Sequence, residues 1–384
     1  MAKIQLLNKI SQVGLKQFND TYEIGDAITD PDAILVRSAA MHDMEFGASL
    51  KAIGRAGAGV NNIPVDRCAE EGIVVFNTPG ANANGVKELA IAALMLASRD
   101  IVGGIQWANA LTADVAKSVE KGKSAFAGNE IMGKTLGVIG LGAIGGLVAN
   151  AAAALGMNVI GCDPYITIDG AWHLSRAIQK AATYDEVFEK ADYISLHVPA
   201  TPQTKNMICA DSIAKMKSGV RIINLARADL VNAADLKAAI ADGKIASYVT
   251  DFPTEDTIGV KGIVTIPHLG ASTEESEDNC AIMAANELID YLENGNIKNS
   301  VNFPNLNLPH TAAHRVVILH KNIPNMIARI TGSLADQNIN IENLMNASKG
   351  DYAGTIAETN SPVDDAVVEK IAAVDGIIRV IKIS

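Results

Sequence analysis

A chain of 384 residues, 48% hydrophobic and 20% charged, is long enough for two or three domains, each with its own core. Its net charge of -11 disfavours nucleic acid or an anionic membrane as the main partner, so an anionic substrate would need locally placed arginines or lysines. The four cysteines form no CxxC pair, which excludes a disulfide framework or a cysteine metal site and fits a reducing, cytoplasmic setting; no signal peptide or membrane-spanning apolar run is expected either.

Residues 1–98 alternate short apolar strands (33–36, 52–53 and 73–76) with helical segments and close on an apolar helix over 86–97. Residues 99–270 repeat this strand–helix rhythm. Within them, 134–139 reads as a buried strand that runs into Gly140-Leu141-Gly142-Ala143-Ile144-Gly145. An alanine-rich helix follows over 146–155, then a second apolar strand over 158–161 that ends near Asp163. The first glycine permits the tight turn, the second lets backbone approach a pyrophosphate, and the third lets helix and strand pack closely. The helix N-terminus then offers free N–H groups to phosphates. Asp163 stands 18 residues after Gly145, where a carboxylate can accept from a ribose hydroxyl and repel a 2′-phosphate. This pattern points to NAD rather than NADP.

A long helix over 273–293 follows, with Cys280, Met283, Leu288 and Leu292 at helical spacing. It is expected to pack back on the first section, giving a discontinuous domain of 1–98 with 271–298. An Asn- and Pro-rich linker over 299–309 leads to a separate last section, 311–384. That section reads strand (315–319), helix (323–337), strand (341–348), strand (352–359), helix (363–374), strand (377–383), a ferredoxin-like βαββαβ order. The expected class is therefore α/β: two doubly wound parallel-sheet domains, one of them a Rossmann domain, plus the small ferredoxin-like domain.

In open parallel sheets, ligands sit beyond the carboxyl ends of the strands. The strands of the middle section end at His197-Val198-Pro199, Asn224-Leu225-Ala226-Arg227, Asp251 and Pro267-His268-Leu269-Gly270. Hydride transfer from a secondary alcohol fits this set. It needs a base for the hydroxyl proton, and imidazole exchanges protons near neutral pH; His268 is the candidate. Glu255 is the candidate to support the imidazolium. Arg227 offers a planar fork for a substrate carboxylate. Taken singly, each has an ordinary alternative: a structural histidine, a surface carboxylate, a solvated arginine.

These motifs resemble those of the D-isomer-specific 2-hydroxyacid dehydrogenases along nearly the whole chain. The resemblance rests on AIGRAGAGVNNIPVD (52–66), GIVVFNTP (72–79), GKTLGVIGLGAIG (133–145), SLHVP (195–199), NLAR (224–227) and PHLGAST (267–273). It implies that Arg227 binds substrate and that His268, paired with Glu255, is the acid–base group. It implies a cofactor site of Gly140, Gly142, Ala143, Ile144, Gly145, Asp163, His197, Val198, Pro199, Ala226, Asp251 and Gly270. Asp251-Phe252-Pro253 is one residue shorter than the family's Asp-Val-Phe-Pro, so Thr250 could share the role of Asp251. Arg37, Ser38, Arg55, Gly59, Val60 and Asn82 are the implied substrate contacts, with backbone amides at 58–60 able to cradle a carboxylate.

The implied reaction is NAD-dependent oxidation of 3-phospho-D-glycerate to 3-phosphohydroxypyruvate, the first step of serine biosynthesis. The alternatives are another D-2-hydroxyacid dehydrogenase, of glycerate/hydroxypyruvate type, and a non-catalytic NAD or amino-acid sensor. The last section resembles an ACT regulatory domain. His320, Asn322 and Asn340 then match serine-binding positions, with Asn325 where the family usually has glycine. The segment 100–131, with Trp107 and Phe126, resembles the family's dimer-forming insertion, so a homo-oligomer, dimer or tetramer, is expected. No metal, nucleic-acid or membrane partner is expected.

Overall fold

Three sheets organise the computed structural model of the protein, which describes residues 1–383. Strands β1 (Ala2–Leu6), β2 (Tyr22–Gly25), β3 (Ala33–Val36), β4 (Ala52–Arg55) and β5 (Val74–Asn77) are parallel, in the order β2-β1-β3-β4-β5. Every residue of β3 is buried, which explains why its sequence AILV lacks alternation: both faces of the sheet are covered.

The second sheet holds β6 (Thr135–Ile139), β7 (Asn158–Cys162), β8 (Gln179–Lys180), β9 (Tyr193–Leu196), β10 (Val220–Asn224), β11 (Ile245–Thr250) and β12 (Ile263–Thr265). It is parallel throughout, in the order β12-β11-β10-β9-β6-β7-β8. The order reverses between β9 and β6, which creates the switch-point crevice that binds ligands in such folds. The third sheet is antiparallel: β13 (His314–Lys321), β14 (Ile341–Lys349), β15 (Tyr352–Thr359) and β16 (Ile377–Ile383), in the order β14-β15-β13-β16.

Contacts divide the chain into two compact units rather than three sections: 1–82 with 274–384, and 83–273. The first boundary therefore stands at 82/83, not 98/99. Helix Ala83–Ser98 goes with the second unit because Val86, Ala90, Ala93, Leu94 and Ala97 share a core with Leu136, Val138, Val148, Ala149 and Val249. Small side chains on this helix and on Ala143–Ala154 let the two approach closely.

The last section is not a free-standing module. Val316 and Ile318 of β13 point to its own helices, in a core with Met326, Ile330, Val367 and Ile371. Val317 and Leu319 point the other way, into the core that holds Phe303, Leu306, Tyr291 and Leu288 of the long helix Glu274–Asn294. That helix also lies on β3, β4 and β5. One sheet thus buries both faces, and its second face closes the core of the first unit.

Candidate active site

The turn after β6 carries Gly140 at φ 88, a left-handed conformation that favours glycine. A Cβ on Gly140 would stand 2.5 Å from the carbonyl oxygen of His197, and one on Gly145 would stand 1.9 Å from the carbonyl oxygen of Gly140. Both glycines are therefore required by the packing of β6, β9 and helix Ala143–Ala154. Beside Gly142 the space is open, since a Cβ there would meet nothing within 4 Å. No side chain caps the helix at Gly142, which leaves its first N–H groups, at Ala143 and Ile144, facing that space. The Asp163 carboxylate accepts from the Leu141 N–H at 2.8 Å and the Tyr165 N–H at 2.8 Å. These bonds fix it beside the glycine turn with lone pairs left for hydroxyl donors. The residues present fit an NAD pyrophosphate and adenosine ribose.

His197 closes the next strand end, with Val198 and Pro199 beyond it. Its Nε2 lies 2.8 Å from the Ser195 hydroxyl, and burial pulls its pKa down to about 4, so the ring is neutral at pH 7. After β10, the buried Asn224 organises the Ala226-Arg227 turn. Its Oδ1 accepts from the Ala226 N–H at 3.1 Å and its Nδ2 donates to the Arg227 carbonyl at 2.8 Å and to the Tyr248 hydroxyl at 3.0 Å. Arg227 is exposed, donates to the Ala226 carbonyl at 2.7 Å, and has its guanidinium 5.8 Å from the Phe252 ring centre.

At the end of β11, Thr250 turns inward and accepts the Phe252 N–H at 3.1 Å. The carboxylate that reaches the neighbouring strand end is Asp251, whose Oδ2 accepts from the Gly270 N–H at 3.1 Å. Its Oδ1 is buried without a partner. Burial raises the Asp251 pKa, opposed by the Gly270 N–H and the nearby His268 and Arg227 charges. His268 stands at φ 43, a conformation rare for any residue but glycine. Two bonds hold it there, from its N–H to the carbonyls of Asp251 at 3.0 Å and Ile266 at 3.0 Å. Its exposed ring lies on Phe252, with ring centres 4.6 Å apart.

Glu255 is placed differently from the expected pairing. It lies exposed on the turn pinned by Thr254 and Thr257, and among the described residues its side chain makes no hydrogen bond or ion pair, to His268 or to any other group. The carboxylate in electrostatic reach of His268 is Asp251. Catalytic hydrogen bonds are often long before substrate binds, so this geometry leaves Glu255 a candidate.

The expected substrate residues gather at the carboxyl ends of β3 and β4 in the first unit. Asn8 joins them without any mark in the sequence. Its Oδ1 accepts three consecutive backbone N–H groups, from Arg37 at 3.0 Å, Ser38 at 2.9 Å and Ala39 at 2.9 Å. No periodicity or motif singles it out; only the folding of β1 beside β3 brings it there. Arg37 pairs with Glu277 at 2.7 Å. Arg55 is half-buried with an unpartnered Nε, and its pKa is lowered by burial and by the neighbouring Arg37 charge. Gly59 and Val60 follow Ala58, whose carbonyl accepts from Asn77 at 2.6 Å. Asn82 ends the first of the two segments of this unit.

The three expected effector residues are not brought together within one chain. Both ring nitrogens of the buried His320 are engaged, with the Lys321 carbonyl at 2.9 Å and the Thr355 hydroxyl at 3.0 Å. Asn322 donates to the Gly350 carbonyl at 3.0 Å. Asn340 precedes Ile341, which pairs with Thr359 opposite His314, at the other end of β13. The strand rise of about 3.4 Å per residue puts the two asparagines roughly 27 Å apart. Asn325 takes φ 65, the left-handed conformation that glycine would otherwise supply and asparagine tolerates.

Among the described residues no helix is long and apolar enough to cross a membrane. Residues 91–270 match the family model for "D-isomer specific 2-hydroxyacid dehydrogenase, NAD binding domain". The chain is 36% identical over 315 residues to the D-3-phosphoglycerate dehydrogenase of Synechocystis sp., a match covering 79% of this chain and 54% of the relative. It is 33% identical over 364 residues to that of Methanocaldococcus jannaschii, covering 92% and 66%. The chain thus spans between about half and two thirds of the length of these curated relatives. An NAD+-bound 3-phosphoglycerate dehydrogenase of Entamoeba histolytica superposes with a TM-score of 0.61 at 28% identity, over 78% of this chain and 98% of that one. With its glycine turn, its strand-end Arg227 and His268 and these matches, the chain belongs to the D-isomer-specific 2-hydroxyacid dehydrogenases and carries their NAD-binding domain at residues 91–270.

Proposed function

We propose that this chain oxidises 3-phospho-D-glycerate to 3-phosphohydroxypyruvate, the first step of serine biosynthesis. The observation that carries this reading is the gathering of Arg227, Asp251 and His268 on adjacent strand ends, on the same sheet edge as the glycine turn. Bound there, NAD+ would supply the hydride acceptor for the hydroxyl-bearing carbon. Gly142 leaves room for its pyrophosphate, Gly140 and Gly145 let the turn and helix pack closely enough to present it, and Asp163 receives its ribose hydroxyls. Arg227 binds the substrate carboxylate with a two-pronged fork and polarises the reacting oxygen. His268, fixed by its backbone bonds and by Phe252, takes the hydroxyl proton. Glu255 is the group proposed to support the imidazolium once substrate is in place. Arg37 and Arg55 supply cations for a phosphate, and the amides at 58–60 a cradle for an anion.

The names of the relatives support this substrate, and the two arginines at the ends of β3 and β4 favour a phosphorylated one over glycerate. A further D-2-hydroxyacid dehydrogenase is the second reading. A panel of 2-hydroxy acids with NAD+ separates the two, and 3-phospho-D-glycerate should be turned over best. His268→Ala should lower kcat by about 10²–10⁴-fold while NAD+ binding changes little. Wild-type turnover by that variant, or a clear preference for an unphosphorylated acid, counts against the assignment. We also propose a cytoplasmic homo-oligomer, dimer or tetramer, paired through 100–131, where Ile101, Val102, Ile105 and Val115 stand exposed. L-serine is the proposed effector, and a second copy would be needed to bring one chain's Asn340 to the other's Asn322.

A further inference from the structure

The long helix Glu274–Asn294 carries a buried acid that the reaction does not use. Glu287 is 6% exposed. Its Oε1 accepts from the Asn299 Nδ2 at 2.7 Å, while its Oε2 is buried without a partner. A buried carboxyl oxygen without a donor is costly, so such groups in folded proteins ask for an explanation. Glu287 lines a cleft of about 730 Å³, whose wall also carries Asn286, Asp290, Asn296 and Asn299, with Lys298 exposed beside them.

We propose that this cleft is a binding site for a small molecule with a primary ammonium group, received by the Glu287 carboxylate. Two carboxylates and several amides against one exposed lysine favour a cationic donor. Asp290, one turn further on, has one oxygen taken by Asn294 at 2.9 Å and Asn296 at 3.0 Å, whereas the unpartnered oxygen of Glu287 is a buried one. A metal ion is the poorer occupant, because no three His, Cys, Asp or Glu side chains gather as ligands among the described residues. An ammonium offers three N–H donors, enough for the orphan oxygen and neighbouring amide carbonyls. Apolar Ile282 and Met283 on the same wall suit a short carbon chain.

The site has a chemical signature. Burial pushes the Glu287 carboxyl up to about 8, with the Asn299 bond and the Lys298 charge opposing it. Asp290 on the same helix and Lys298 on the following loop are the charged groups that share the cleft; the Gly80–Ala81 wall brings none. At pH 7 the resting carboxyl is mostly protonated, so capture of an ammonium must release a proton. The site is also connected to the substrate loop. Asn299 accepts from the Asn77 N–H at 3.4 Å, and Asn77 donates to the Ala58 carbonyl at 2.6 Å, next to the backbone cradle at 58–60.

Calorimetric titration of the intact 384-residue chain with ethanolamine tests this directly, and needs no turnover, so a failed activity assay leaves it standing. Saturable binding in the millimolar range is expected at pH 7, up to about 50 mM ligand. The heat should vary with the ionisation enthalpy of the buffer, as one proton leaves Glu287. Affinity should rise when the pH is taken from about 6.5 to about 8.5, as the carboxyl ionises. Tetramethylammonium, with the charge but no N–H, should not bind. Glu287→Gln, of the same shape, should weaken ethanolamine at least about tenfold, because it removes the charge that strengthens the bond. No saturation, equal binding of tetramethylammonium, or unchanged affinity in Glu287→Gln overturns the proposal. The first two readouts use the wild-type protein alone and decide the matter even if the variant fails to fold.

Discussion

Deleting residues 311–384 should unfold the unit that carries β1–β5 and spare the dinucleotide unit. In the intact chain Val317, Leu319, Ile356, Ile381 and Ile383 complete a core with Phe303, Leu306, Tyr291 and Leu288. Fully burying each such side chain is worth about 1.5–3 kcal/mol, so the five together supply about 7–15 kcal/mol. A whole domain is stable by only about 5–15 kcal/mol, so their loss removes most or all of the stability of the first unit. Polar ties are lost as well. Arg379 donates to the carbonyls of Ala48, Leu50 and Gly72, and Arg315 to those of Asn294, Leu308 and Pro309. None of these groups belongs to residues 83–273, so NAD+ should still bind the truncated protein. Hydrogen exchange followed by mass spectrometry is the suitable assay, because both tryptophans, Trp107 and Trp172, lie in the second unit and their fluorescence would miss the event. Amides of β3 and β4 should exchange freely after truncation while those of β6 and β9 stay protected. Persistent protection of β3 and β4 would refute the reasoning.

Three further outcomes follow from single contacts. Glu358 is fully buried against Arg315 at 2.6 Å; burial alone would raise its pKa, but bonds from Thr311, Arg315 and Asn343 outweigh this and hold it well below the usual carboxylate range. Its contribution is therefore complete above the unfolded value of about 4.3 and is lost only as pH falls through the lower folded value. Glu358→Gln leaves Arg315 without its counter-charge and should cost about 3–5 kcal/mol, measured by hydrogen exchange in β13 and β15; a loss under about 1 kcal/mol contradicts this. Asn8→Ala should raise KM for the acid substrate about tenfold, or about 1.4 kcal/mol, with kcat little changed, because the Arg37-Ser38 backbone loses its shared acceptor. Asn8→Asp keeps that acceptor and should restore KM; equal KM values for the two variants would show that Asn8 is only structural filling. Asp163→Ala should narrow the preference for NAD+ over NADP+ in steady-state kinetics, and a wild-type preference for NADP+ would end the ribose assignment.

Much of the dinucleotide half is legible in the order of its residues. The strand–GLGAIG–helix–strand–Asp163 pattern lies within about 30 residues, the span of one βαβ unit, and its logic is local: glycine sterics, a free helix N-terminus, a carboxylate at the next strand end. The strand-end positions of Arg227 and His268 are legible for a related reason, since a parallel sheet puts all its carboxyl ends on one edge. The βαββαβ order of the last section can also be read, because alternation and turn residues mark each element.

Tertiary structure decides the matters that depend on distant segments meeting. Both alternating faces of β13 are apolar in sequence, but nothing local says that one covers its own helices and the other Phe303 and Leu306. The 82/83 boundary depends on where the buried face of Ala83–Ser98 lands, and its periodicity is the same wherever it lands. Asn8 meets Arg37 and Ser38 through β1 lying beside β3, and Asp251, which accepts from the Gly270 N–H, rather than Glu255 is the carboxylate in electrostatic reach of His268. Local sterics and periodicity determine which elements form. Which faces, loops and buried polar atoms come together is determined by packing between residues far apart in the chain, and only the tertiary structure records it.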